Sequence, residues 1–171
     1  YILYKYEREM KMDKIVKTNA LRILDKQKIP YRIHTYEWSE DKTGGIHVME
    51  ELKEIADRIF KTIVLTGKSR QLYVCIIHAE AHLDLKKVAK VCGEKNIELL
   101  PLPELEKQTG YIRGGCSPIG MKKKFPTFLD TAAEKFDRIV VSAGKRGLQV
   151  EINVKDLLIV TDSKLKKLTT D

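Results

Sequence analysis

Residues 61–66 and 71–78 form two runs rich in β-branched side chains, separated by Gly67-Lys68-Ser69-Arg70. Such runs on either side of a glycine-containing turn predict a β-hairpin. A second hairpin is predicted from residues 139–142 and 148–152, which flank the basic tip Ala143-Gly144-Lys145-Arg146-Gly147. Single helical patterns stand between and beside these hairpins. That order of elements predicts an α+β domain built on a mixed sheet, and argues against a doubly wound parallel one.

The helices follow from apolar spacing and punctuation. Ile15, Val16, Ala20, Leu21, Ile23 and Leu24 fall at helical spacing within 13–28, and Pro30 ends the pattern. Residues 31–38 alternate like a strand, and a short helix is expected over 48–59. Asp84 before 85–92 and Gly93 after it read as a cap and a stop. Residues 97–100 are a short apolar run, 103–108 a short helix opened by Pro103, and 154–160 a helix capped by Asn153. A lysine-rich tail closes the chain. Residues 1–12 lack a clear period and precede Met12-Asp13-Lys14, which resembles a natural start, so they are read as an N-terminal extension to a single domain spanning 13–171.

With 43% hydrophobic and 33% charged residues, the chain carries enough apolar material for a core and lacks an apolar stretch long enough to span a bilayer. Three cysteines, Cys75, Cys92 and Cys116, do not make a disulfide framework, which suits a cytoplasmic protein. The net charge of +8 favours a polyanionic partner, nucleic acid first, or else a solvated basic face.

Thr66-Gly67-Lys68-Ser69 is not a phosphate loop, because the glycine needed five residues before Gly67 is Thr62. His78 and His82 have no evident third ligand, so no metal is expected. Cys116 has no histidine nearby in sequence and reads as a bland small residue. Residues 109–124 hold four glycines and four basic residues with little periodicity, the mark of a functional loop. Lys61 opens an apolar strand, where a lysine must be paired, snorkel outward or point into a cleft. Beside a glycine loop whose amides can face a developing anion, such a cation suits carbonyl or phosphate chemistry.

Several segments, taken in order, resemble a known family: Lys17-Thr18-Asn19-Ala20, Ile33-His34-Thr35-Tyr36, Phe60-Lys61-Thr62, Leu83-Asp84-Leu85-Lys86-Lys87-Val88-Ala89-Lys90, the loop from Thr109 to Gly120, and Ser142-Ala143-Gly144-Lys145-Arg146-Gly147-Leu148. The chain is identified by them as similar to the YbaK/EbsC aminoacyl-tRNA deacylases, relatives of the editing domain of bacterial prolyl-tRNA synthetases. The resemblance implies a barrel-like mixed sheet with surrounding helices. It also implies hydrolysis of the ester in cysteinyl-tRNA(Pro), with cysteinyl-tRNA(Cys) a second substrate and no cofactor. Lys61, Gly114 and Gly115 would then be catalytic, with Tyr36, Thr62, Ser117, Pro118, Ser142 and Gln149 around the substrate. Prolyl-tRNA synthetase is an implied partner, whereas DNA and membrane are not. A non-catalytic RNA-binding or regulatory module of the same fold is the competing reading.

Two positions depart from the family pattern. An aromatic residue expected after Tyr36 is replaced around Gly44, and an acidic residue expected after the Gly-Lys-Arg-Gly turn is Gln149. Lys122, Lys123, Lys124, Lys145 and Arg146 are candidate phosphate contacts, with Lys86, Lys87 and Lys90 a weaker set, and each could equally be a solvated face. Because no Ser-His-Asp or Cys-His constellation is apparent, the nucleophile must be water or a group of the substrate, and a cysteinyl thiol can attack its own ester.

Overall fold

A computed structural model describes residues 17–41 and 44–170. The extension 1–12 and the start of the predicted 13–28 helix lie outside the described residues. Helix α1 (Asn19–Lys26) begins where the Thr18 hydroxyl accepts a hydrogen bond from the Leu21 N–H at 3.2 Å, and it buries Ala20, Leu21 and Leu24. Strand β1 (Tyr31–Thr35) is shorter than expected from the alternation. Helix α2 (Gly45–Glu51) and a 3-10 segment (Lys53–Arg58) replace the single helix expected over 48–59, because Leu52, with φ −113° and ψ 54°, leaves the helical region between them.

Strands β2 (Phe60–Gly67) and β3 (Leu72–His78) form the first predicted hairpin. Helix α3 (Leu85–Cys92) is held by the Asp84 carboxylate, which accepts from the N–H groups of Lys86 and Lys87, and ends at Gly93 in the left-handed region. Next come β4 (Ile97–Leu99), α4 (Leu102–Thr109), β5 (Thr127–Asp130), β6 (Arg138–Lys145) and β7 (Leu148–Asn153). The described chain ends with α5 (Val154–Thr161), capped by Asn153, and β8 (Lys164–Lys166). The order β1-β7-β6 makes a three-stranded sheet, and β4-β2-β3-β5-β8 a five-stranded one. Antiparallel β2–β3 and parallel β3–β5 and β5–β8 pairs make the larger sheet mixed, as expected. β1 stops at Thr35 because its partner β7 begins at Leu148, opposite it.

The sheet does not close into a barrel. Among the described residues, one isolated parallel bridge, Ile59↔Val140, joins the two sheets. Two strands escaped the sequence reading. In β5, Thr-Phe-Leu-Asp is buried throughout and shows no alternation, as suits a strand paired on both sides. In β8 the lysines stay exposed around a half-buried Leu165, so a strand resembles a charged tail.

The larger core packs α1 and α5 on the inner faces of β6 and β7, with Phe60 and Ile76 reaching it from the other sheet. The second face of the five-stranded sheet, Leu65, Tyr73, Cys75 and Ile77, is covered by Val88 and Ala89 of α3. Between Ser142 and Lys145 the β6–β7 register shifts, leaving Ala143 and Gly144 as a bulge opposite no partner. Gly144 has φ +97°, and a Cβ there would lie 2.8 Å from the Tyr111 ring. Gly144→Ala should therefore combine backbone strain with overpacking and cost about 2–4 kcal/mol. Gly93→Ala, left-handed but with nothing within 4 Å, should cost about 1–2 kcal/mol. Urea midpoints of the two variants should fall in that order.

Candidate active site

The bridge at Ile59↔Val140 is parallel, so continuing its register would set Lys61 opposite Ser142. That pairing is not made, and β2 and β6 diverge. On this side, among the described residues, β2 has no strand partner before Leu65, where β4 begins to pair. Gly67 donates to Gln71, whereas the Val64 carbonyl accepts from Leu100. Even-numbered residues of β2 thus turn their main-chain groups away from β3, and those of Thr62 face the gap.

A cavity of about 190 Å³ occupies this wedge. It wraps the open edge of β2, so consecutive residues Phe60, Lys61, Thr62 and Ile63 all reach it. Gly114 and Cys116 come from the glycine loop, Ser142 from β6, Gln149 from β7, and Tyr36, Trp38, Gly44 and His47 from the segment after β1. Six residues singled out from sequence, Tyr36, Lys61, Thr62, Gly114, Ser142 and Gln149, therefore meet at one place.

Gly115, Ser117 and Pro118 do not line it. Gly115 is pressed against the β6–β7 turn, where a Cβ would lie 3.0 Å from the Arg146 nitrogen. Ser117 is fully buried and its Oγ accepts from the Ile119 N–H at 3.2 Å. Pro118 is buried beside it. Lys122, Lys123, Lys124 and Lys145 are exposed away from the lining, with Lys124 paired to Asp162 at 3.3 Å. In the weaker set, Lys87 donates to the Thr169 carbonyl at 3.0 Å. His78 is engaged by backbone on both ring nitrogens, through the Asp57 carbonyl at 2.9 Å and the Glu80 N–H at 3.1 Å.

The loop is fixed from several sides. Tyr111 is buried, donates its hydroxyl to the Ile119 carbonyl at 2.6 Å and packs on the Gly144 bulge. Asn19 donates to the Gly120 carbonyl at 2.8 Å, and the Thr18 hydroxyl donates to the Ala143 carbonyl. The start of α1 thereby joins the loop to the bulge. Gly114 has φ +82°, a conformation that favours glycine.

Lys61 is half-buried and has no hydrogen-bond or ion-pair partner among the described residues. Burial lowers its pKa. Among the described residues, no carboxylate lines the cavity. Burial pushes the Cys116 thiol up to about 12, so it is protonated at neutral pH and unsuited to attack. Among the described residues, Trp38 Nε1, His47 Nδ1 and Thr62 Oγ1 are enclosed without partners. Each such group costs about 1–3 kcal/mol, the kind of deficit tolerated at functional sites. The His47 Nε2 lies 3.1 Å from the Glu37 carbonyl and donates to it, which leaves Nδ1 as an acceptor. Sequence reasoning missed Trp38 and His47: the alternation presents Trp38 only as the end of the strand-like stretch 31–38, and His47, in α2, carries no motif.

A family model described as an aminoacyl-tRNA editing domain matches residues 44–159. A protein of Enterococcus faecalis named "Putative Cys-tRNA(Pro)/Cys-tRNA(Cys) deacylase EbsC" is 47% identical over 154 residues, covering 90% of this chain and 94% of that protein. A solved structure titled as a putative trans-editing enzyme for prolyl tRNA synthetase superposes with a TM-score of 0.74 at 19% identity, covering 92% of this chain and 100% of the other. A hypothetical protein superposes at 0.80 with 14% identity, covering 89% and 99% of the two chains. At those identities the structures speak for the fold, while the family match and the relative from Enterococcus cover most of the sequence. The chain belongs to the family of aminoacyl-tRNA editing domains.

Proposed function

We propose that this protein hydrolyses the aminoacyl ester of mischarged tRNA in the cytoplasm, with cysteinyl-tRNA(Pro) its principal substrate and cysteinyl-tRNA(Cys) a second. The observation that carries the reading is the cavity: it gathers Lys61, Gly114, Ser142 and Gln149 but, among the described residues, holds no activated nucleophile of its own. Its volume of about 190 Å³ lies below the roughly 300–1,000 Å³ of sites for drug-sized ligands, and suits an aminoacyl group. The 47%-identical relative bears a deacylase name for the same two cysteinyl-tRNAs. Docking to prolyl-tRNA synthetase would supply the tRNA discrimination that the cavity does not encode.

In the mechanism we assign, the substrate thiol loses its proton to solvent and its sulfur attacks the ester carbonyl carbon. The carbon–oxygen bond to the terminal ribose breaks, that oxygen takes a proton, and the resulting thiolactone is opened by water to cysteine. A cysteine thiol, with an ordinary pKa of about 8.5, is already a few per cent ionised at neutral pH. Holding it folded against its own carbonyl can contribute roughly 7–11 kcal/mol. Lys61 and the Gly114 backbone are the groups assigned to the developing oxyanion, and Thr62, Ser142, Tyr36 and Gln149 to positioning the aminoacyl group.

Cysteinyl-tRNA should be cleared while seryl- and alanyl-tRNA persist, since serine's hydroxyl is scarcely ionised and alanine has no nucleophile. Comparable release of alanine would point instead to a bound water. Lys61→Met should abolish turnover and leave thermal stability at or above that of the parent at pH 7, because it removes a cation whose burial disfavours charge. The sign follows from linkage. The folded pKa lies below the unfolded value of about 10.4, so the unfolded chain binds more protons between the two values. The burial penalty is complete below the folded pKa and is relieved as pH rises through that window. Relative to Lys61→Met, the parent should therefore gain stability from neutral pH toward pH 10, which melting curves can follow. A variant with full turnover would remove Lys61 from the chemistry.

A further inference from the structure

Trp38 stands at a boundary. It lines the cavity, whereas Arg146, whose guanidinium carbon lies 4.2 Å from the indole centroid, does not. The Arg146 Nε donates to the Arg113 carbonyl at 2.9 Å, so the guanidinium is anchored to the glycine loop rather than resting on the ring by chance. Gly114 completes the arrangement: a Cβ there would lie 3.4 Å from Trp38 Nε1 and 3.5 Å from Arg146 Cγ. The indole, the arginine and the loop backbone thus hold one another, with exposed Arg113 and Lys145 alongside.

We propose that Trp38 is a stacking platform for the 3′-terminal base of the RNA, with Arg146 on its opposite face. The inference rests on the proposed deacylase function and assigns the nucleoside end of the same substrate. The cavity suits an aminoacyl group, so the base must lie at its margin, and Trp38 is the lining side chain that adjoins the basic surface. An aromatic face edged by cations is the arrangement by which single-stranded nucleic acid is held, the base by stacking and the backbone by charge. Gly44 lines the same cavity, and a Cβ there would meet nothing within 4 Å among the described residues.

Trp38 is the sole tryptophan of the chain, so intrinsic emission reports on that ring alone. The probe is an unacylated RNA oligonucleotide ending in 3′-adenosine, set against the same oligonucleotide with an abasic terminal ribose. The adenosine-ended RNA should change Trp38 emission saturably, and the abasic one should bind about tenfold more weakly, the order expected for one stacked base. In turnover of cysteinyl-tRNA, Trp38→Leu should raise KM about tenfold with kcat nearly unchanged, and Trp38→Phe should restore most of the loss. Unchanged emission with the RNA shown bound by an independent label, equal binding of the abasic oligonucleotide, or a parental KM in Trp38→Leu would each overturn the proposal. Should Trp38→Leu fail to fold, the parent's emission and Trp38→Phe still decide it. If the parent does not deacylate cysteinyl-tRNA but its emission answers to the 3′-adenosine, the deacylase reading falls and the platform stands. If it deacylates with silent emission, the reverse holds.

Discussion

The parting of β2 from β6 after a single bridge at Ile59↔Val140 is the constraint on which the rest of the site depends. A strand edge with unpaired main-chain groups is costly in a protein interior. Here it is tolerated at Thr62 because the edge borders a cavity rather than packed side chains. Had the parallel ladder continued by two residues, Lys61 and Ser142 would have been cross-strand neighbours and the wedge would have closed. The absence of barrel closure and the presence of a site are thus one structural fact.

Directly after Ser142, which lines the wedge, β6 bulges. Ala143 and Gly144 carry no cross-strand partner, and the extra chain is stabilised from outside: Tyr111 packs on Gly144, Thr18 donates to Ala143, and Gly115 lies against the Lys145–Arg146 backbone. The glycine loop therefore serves both to brace the bulge and to present Gly114 to the cavity. Its charge is arranged to match. Among the described residues, the lining of the cavity has one lysine, Lys61, and no carboxylate, while the acidic side chain nearest along β7, Glu151, is tied to His34 at 2.8 Å. Gln149 thus lines the cavity without adding charge to it, and leaves Lys61 uncompensated for a developing oxyanion.

The two hairpins, α3 and α5 were legible because each is local: a turn or a cap, a period and a stop lie within about ten residues. Helix α3 has the bounds that Asp84 and Gly93 dictate. β5 and β8 were not legible, since their identity comes from parallel partners distant in sequence, and neither buried uniformity nor alternating lysine is a strand signal. The break at Leu52 and the early end of β1 likewise depend on tertiary partners. Within the site, Lys61 and Gly114 stood out as a cation on an apolar strand and a glycine in an aperiodic loop. Ser117 and Pro118 sit in the same motif yet are buried in the loop's own packing, a distinction that spacing alone does not carry. Trp38 and His47 became visible only once the chain had brought them to the same cavity as β2.

In the proposed reaction the cavity positions and stabilises, while the substrate supplies the nucleophile. The most direct measurement compares cysteinyl-tRNA with its S-methylcysteinyl counterpart, which adds one methyl and removes the ionisable thiol. Single-turnover deacylation should clear the cysteinyl ester and leave the S-methyl ester at its uncatalysed rate, even where competition shows that both are bound. Hydrolysis of the S-methyl ester at a rate comparable to that of the cysteinyl ester would contradict the claim, and would place an attacking water beside Lys61 and the Gly114 loop.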